Sequence, residues 1–407
     1  FDKIKEDALK FTSWMSLTTV ISGISREAVK FYNNVVDIDT AMTELRKVTD
    51  NTNQQYAEFF DNIGQKAKDL KIDLSDLISQ TAEWGKRGYS LDEAETLATN
   101  SGIYSVVGEV DNATAVQDLT TVMKSYNMTV DESINIVDKF NAISNKYAVS
   151  ASDIGDMLSR SVSSLSVAGN TLDQAIAMGT AITEITGDAA EAGNSLKVLS
   201  MRLRGAKTEL EDAGESTEGM AVSTSKLRED IKALTNVNGT GGFDIMKDSQ
   251  NFKSTYEIMK GIANVWNDLT DTSKAAVIEK IAGKQRGNTI TALLTNMSQA
   301  DKIVNDSIGS AGSAMSEYEK YLDSIQGRVQ GFQTSIENLS ATLINGDLVK
   351  FGITSGTQII DVLDNLISKF GVLETLIPTV MAGLSFKNVG KQLLKMPTYA
   401  QPQTICA

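Results

Sequence analysis

The chain has no histidine, one cysteine and three prolines in 407 residues. Without histidine there can be no Ser-His-Asp or Cys-His catalysis and no imidazole metal ligand. One cysteine, Cys406, excludes an intrachain disulfide and a zinc-thiolate cluster, so a small cystine-stabilised scaffold is ruled out. The prolines are Pro378, Pro397 and Pro402, so the first 377 residues contain none. Proline punctuates loops and sheet edges, and its absence over that length favours helices. Basic residues are in deficit, with 38 Lys+Arg against 52 Asp+Glu and a net charge of −14. Such a surface does not suit a chain whose main task is gripping phosphates, and sequence-specific nucleic-acid binding is not expected.

A hydrophobic content of 41% and a charged content of 22% are those of a globular chain that can bury several cores. Phe31, Val35, Ile38, Met42 and Leu45 step by four and three, a helical stripe. Val265, Leu269, Val277 and Ile281 share a face only if the helix breaks near Asp271. The middle of the chain repeats a motif: GYSLDEA from Gly88, NMTVDES from Asn127 and GNTLDQA from Gly169, about forty residues apart. Each predicts a capping box (Ser90 with Glu93, Thr129 with Glu132, Thr171 with Gln174) in which a hydroxyl and an acid or amide satisfy orphan backbone N–H groups. Asp92, Asp131 and Asp173 favour the positive end of the helix dipole, and Gly88, Asn127 and Gly169 suit the end of a preceding helix. The spacing therefore predicts reused helix–turn–helix units.

The expected fold class is all-α, built of helical hairpins or a bundle. Asn238–Gly239 would allow a short β-hairpin near 236–248. The expected organisation is amphipathic helices over 1–68, a repeat-like helical core over 69–210, and a Gly/Ser/Thr-rich linker over 211–250. A second helical region over 251–345 follows, then apolar amphipathic helices over 346–386 and a tail over 387–407. Beginning at Phe1 rather than Met, the chain is expected to be a fragment or processed product. Its opening, FDKIKEDALKFTSWMSL, is charged and amphipathic, unlike a signal peptide. The uncharged stretch Thr375–Phe386 is too short to span a bilayer, so no transmembrane helix is expected.

No constellation rises to an active site: the expected catalytic, cofactor and metal residues are none. Glu215–Ser216 has the Glu-Ser order of lytic transglycosylases, but lies in a Gly/Ser/Thr-rich loop without aromatic cleft motifs. Gly239–Thr240–Gly241–Gly242 lacks phosphate-loop spacing. Met201–Gly205 (MRLRG) and Lys284–Gly287 (KQRG) read as basic helix ends. Trp14, Trp84 and Trp266 sit at helical spacing and read as core. No Asp/Glu run has EF-hand spacing.

Several segments, in order, carry a resemblance. They are AMTELRKVTDNTNQQY (41–56), SDLISQTAEWGKRGYSLDEA (75–94), VDKFNAISNKYAVSASDIGDML (137–158), GDAAEAGNSLKVLSMRLRGAKTEL (187–210) and VWNDLTDTSKAAVIEKIAGKQRGNTITALLTNM (265–297). The chain from Phe1 to about Phe386 resembles phage tail tape measure proteins of long-tailed phages and prophages of Gram-positive bacteria. AEWGKRGYSLDEA and IAGKQRGN in that order are its most specific features; PTYAQPQTICA does not resemble the family.

The resemblance implies a non-enzymatic structural virion protein in the tail-tube lumen that sets tail length during assembly. It would pass through the host cytoplasm and reach the host envelope when it leaves ahead of the DNA. Implied partners are further copies of itself, as a trimer or hexamer, the tail tube protein, distal tail proteins and tail assembly chaperones, with host-membrane contact through 359–386. All 407 residues as one helix would span roughly 600 Å. The repeated caps break that rod, so the ruler is expected mainly outside this chain. Two other readings stay open: a membrane-active module inserting Ile359–Phe386, and a tail-borne peptidoglycan hydrolase using Glu215.

Overall fold

A computed structural model describes residues 33–334, apart from 35, 238 and 332. These fall within the first of two units, Phe1–Ala341; the second, Thr342–Ala407, lies outside the described residues. So do Trp14, Cys406, the stretch 359–386 and the tail.

A helical segment ends at residue 48 and buries Ile38 and Leu45 from the predicted stripe. The next helix, α1 (Asn53–Leu70), starts at a Thr52–Gln55 capping box and buries Tyr56, Phe59, Phe60, Ile63 and Ala67 along one face. Three helical hairpins follow: α2 (Leu74–Lys86) with α3 (Leu91–Val107), α4 (Asn112–Tyr126) with α5 (Ser133–Ser144), and α6 (Ala151–Val167) with α7 (Leu172–Thr186). The turn residues Gly88, Asn127 and Gly169 have φ of +90°, +51° and +76°. A left-handed turn is open to glycine and tolerated by asparagine, which is why these types recur there.

The predicted boxes at Ser90–Glu93 and Thr171–Gln174 both form. The third differs. Thr129 donates its N–H and hydroxyl to Glu132 at 2.7 and 2.9 Å, but residues 129–132 make a separate turn and α5 starts at Ser133. The Ser133 hydroxyl is committed to the Val130 carbonyl at 2.6 Å and accepts from Asn100 on α3 at 2.7 Å. Those contacts hold the entry residue against the preceding hairpin and move the helix start three residues on.

The first arms of the hairpins lie in series: α2 against α4, α4 against α6, and α6 against α8 (Ala189–Leu203). Close approach of α6 and α8 explains the small residues of AAEAGNS. A Cβ on Gly193 would lie 2.5 Å from the Met157 carbonyl oxygen and 2.9 Å from its Cα, so only glycine fits this crossing.

Beyond α8 come α9 (Lys207–Asp212), α10 (Thr224–Leu234), α11 (Thr255–Trp266) and α12 (Asp271–Ile281). The break near Asp271 falls where expected, with Thr270 capping α12. The Gly/Ser/Thr-rich segment 211–250 contains α10, whose Leu227 and Ile231 are buried, as is Ile245 after it. No strand occurs among the described residues. The β-hairpin considered near 236–248 is replaced by a single antiparallel bridge, Met246 to Phe252. Asp248 accepts the Gln250 and Asn251 N–H groups, each at 2.8 Å, and so places the turn after residue 248 instead of at Asn238–Gly239.

The last described helices are α13 (Gly287–Thr295), α14 (Met297–Ile308) and α15 (Ser313–Asp323). They return along the second arms of the hairpins. α13 meets α7, α14 packs on α7 and α5, and α15 packs on α5 and α3. Leu70 then accepts from the Tyr318 hydroxyl at 2.6 Å, and Lys71 donates to the Leu322 carbonyl. Gln330 finally reaches Asp73 at 2.6 Å. The chain retraces its own hairpins toward their start.

Candidate functional site

Three motifs that are far apart in sequence meet at the C-terminal end of α8. Arg202, 1% exposed, donates to four backbone carbonyls: Glu218 at 2.8 Å, Ser216 and Glu279 at 2.9 Å, and Lys280 at 3.3 Å. The planar fork of a guanidinium suits such a spread of acceptors, and the positive charge sits at the negative end of α8. Burial lowers its pKa from the ordinary arginine value, and nearby Glu279 partly opposes that. Arg204 reaches in another direction, donating to the carbonyls of Ala168 at 2.8 Å and Lys253 at 2.9 Å and lying 4.9 Å from the Phe252 ring centroid. The MRLRG turn thus ties the 216–218 loop, the end of α12, the end of α6 and the entry to α11 to one point.

The KQRG turn completes this node. Arg286 pairs with Glu191 on α8 and with Glu215, whose oxygens lie 3.0 and 3.4 Å away. Burial opposes the charge on Arg286, but the two carboxylates more than offset it and raise its pKa. Lys284 meets Glu218 at 2.6 Å on the exposed side.

In this setting Glu215 is one of two carboxylates on a single guanidinium, not an acid facing a cleft. A general acid has to present its carboxyl to substrate, and this one is engaged by the Arg286 guanidinium. The Gly-rich turn is likewise committed. Gly241 N–H donates to Asn236 Oδ1 at 2.9 Å, Phe243 N–H to Thr235 Oγ1 at 2.8 Å and Thr240 N–H to the Val237 carbonyl at 3.2 Å, so these three amides are not free for a phosphate. Trp84 is fully buried, with its ring N–H on Ser101 at 3.3 Å, and Trp266 is 6% exposed. Among the described residues no group of His, Cys, Asp or Glu could hold a metal ion, and no helix is long and apolar enough to cross a membrane.

A second set of polar residues has no local sequence signal. Asp138 on α5 accepts the N–H groups of Gly312 and Ala314 at 2.9 and 2.8 Å, capping α15 from a distant part of the chain. Asn141 reaches Ser313 at 2.7 Å. Lys139 and the Ser307 hydroxyl both meet Asp173, while Lys146 and Tyr147 meet Asp306 at 2.7 and 2.6 Å. These contacts dock α14 and α15 on the hairpins. The single hint of them in sequence is that Asp138 and Asn141 lie on the apolar side of α5, where each is 4% exposed or less.

The described residues thus form helical hairpins in series, joined by an arginine node at the end of α8. The phage-related minor tail protein family matches residues 60–283, more than half of the chain. The chain belongs to that family. It is a structural protein of the phage tail. The matched residues run from α1 through the hairpins to the end of α12, so both MRLRG and Glu215 lie inside the match while α13–α15 lie beyond it. A probable tape measure protein of Halomonas phage phiHAP-1 is 21% identical over 348 residues, covering 78% of this chain and 37% of the relative. The chain therefore spans a little over a third of that relative's length. No solved structure matches.

Proposed function

We propose that this chain is a folded module of a tail tape measure protein, carried in the tail lumen, in a protein that sets tail length during assembly and leaves ahead of the genome. The similarity to the probable tape measure protein of the Halomonas phage, within the minor tail family, is the observation that carries this reading. Its partners would be further copies of the chain, the tail tube protein, distal tail proteins and the assembly chaperones. An acidic surface suits a lumen shared with DNA, because like charges do not adhere. Residues 359–386 would be the part able to meet the host envelope after ejection.

The geometry supports a division of labour within such a protein. The roughly 300 described residues close on themselves, and a compact unit of that size has a radius of gyration of about 19 Å and is about 50 Å across. Drawn out as one helix, the same residues would span about 450 Å. A ruler needs the second form, so measurement belongs to other parts of the protein.

Electron microscopy of tails from a phage carrying an in-frame deletion of 53–323 separates the two cases. A folded module predicts tails shortened by no more than about 50 Å, whereas an extended one predicts a loss near 400 Å. Helical insertions elsewhere in the protein should lengthen tails by about 1.5 Å per residue. Tails of unchanged length after such insertions would refute the tape measure assignment itself.

A further inference from the structure

One polar contact joins all three hairpins. Tyr104 on α3, Asp118 on α4 and Ala151 at the start of α6 meet in the interior, where Tyr104 is 0% and Asp118 6% exposed. The Tyr104 hydroxyl oxygen lies 3.1 Å from Asp118 Oδ2 and 3.2 Å from the Ala151 carbonyl oxygen. The Tyr104 ring also stands edge-on to Phe140 on α5, with centroids 5.5 Å apart, which fixes where its hydroxyl points. The site is built for the carboxyl: a Cβ on Gly155 of α6 would fall 2.1 Å from Asp118 Oδ2, so α6 leaves a notch that glycine alone provides.

Counting protons shows what this arrangement requires. Both neighbours of the Tyr104 oxygen are acceptors when Asp118 is ionised, and the phenol has one proton to give. One of the two contacts is then unmade: the Ala151 carbonyl keeps its own α6 bond from Gly155 N–H, so what is lost is the tie between hairpins, and the carboxylate stays ionised in the interior. With a proton on Asp118, the carboxyl O–H donates to the Tyr104 oxygen while the phenol O–H donates to Ala151. Both contacts are then satisfied.

We infer that Asp118 is a proton-operated latch, which locks the three hairpins together when protonated and loosens their joint when ionised. Among the described residues the charges acting on Asp118 are Asp156 from α6, itself paired with Arg160, and Asp111 at the start of its own helix. Burial, partly opposed by the Tyr104 hydrogen bond and aided by those two acids, pushes the Asp118 pKa up to about 6. Burial and the nearby carboxyl raise the Tyr104 pKa as well, so the phenol keeps its proton and the carboxyl is the group that switches. The latch belongs to the fold of this chain and would operate whether or not the protein measures a tail. In an acidified medium the array stiffens; at neutral pH it carries an ionised carboxylate in its interior and opens more easily.

The sign follows from linkage. Between the ordinary aspartate value of 3.8 and about 6, the folded chain holds a proton that the unfolded chain has released. Stability from this group is complete below that window, falls as pH rises through it, and is level above.

The test uses the 407-residue chain and Asp118→Asn, whose amide can donate to Tyr104 at every pH. The ratio of unfolding constants, wild type over variant, should rise about thirtyfold from pH 4 to pH 6, about twofold more by pH 7, and stay constant above. Independently, the Asp118 side-chain carbon should titrate by nuclear magnetic resonance with a midpoint near 6, moving higher in Tyr104→Phe, which removes the phenol donor. A ratio that does not change with pH, or a midpoint near 4 in the folded wild type, would overturn the latch. If Asp118→Asn fails to fold, the wild-type midpoint alone decides.

Discussion

The hairpin arms α2, α4, α6 and α8 and the returning helices α14 and α15 are held by different means. Along the first arms, neighbours are close in sequence, and contact is made through small residues: Gly193 lies against the backbone of Met157, and Ala189 and Ala192 line the same face of α8. Along the return, partners are 115 to 257 residues apart and meet through polar groups such as Asp138 with Gly312 and Gln330 with Asp73. Closure of such long loops has to be offset before any contact gains. Close packing between near neighbours has no such burden. The array is therefore the part expected to fold first and open last, and the return is a strap laid over it.

Substitutions can break that contrast, and the largest effect should come from inside the array. Gly193→Leu forces a side chain into the α6–α8 crossing and should destabilise by about 3 kcal/mol in denaturant titration. If it is neutral, the crossing is not close-packed as described.

Next comes the arginine node at the end of α8. Arg202→Met removes the guanidinium from the carbonyls of Ser216, Glu218, Glu279 and Lys280, of which Glu279 keeps the Gly283 N–H at 3.1 Å, and should cost about 2–3 kcal/mol. It should also expose the 213–223 loop to limited proteolysis, which a purely local packing defect would not do.

The strap should respond more weakly. Asp138→Ala removes the cap from α15 and should cost about 1–2 kcal/mol, with faster amide exchange confined to α14 and α15. Lys284→Ala removes an exposed ion pair with Glu218 and should leave the unfolding midpoint where it is.

How far this was legible in the sequence depends on distance along the chain. Hairpin turns could be read because the capping residues and the left-handed Gly or Asn are local requirements, met within a few residues at Gly88–Glu93 and Gly169–Gln174. The Thr129 box misled for a tertiary reason, since contacts of Ser133 with Val130 and Asn100 moved the helix start. MRLRG, KQRG and Glu215 were each visible as separate features, and each looked like a helix end or a loop acid. Their meeting was not visible, because Arg286 and Glu191 are 95 residues apart and no periodicity links them. Asp118 was hidden more thoroughly. Its position on α4 is unremarkable in sequence, and only the notch at Gly155 and the hydroxyl of Tyr104 give the carboxyl its setting.

In the tape measure role proposed above, the contrast would have a use. A strap that detaches before the array would let the chain open from its C-terminal side while the hairpins persist. Native-state hydrogen exchange on the 407-residue chain tests this most directly. The account predicts that amides of α14 and α15 exchange through an opening of lower free energy than those of α6 and α8, with Asp138→Ala widening the gap. A single common opening free energy for all four helices would contradict it.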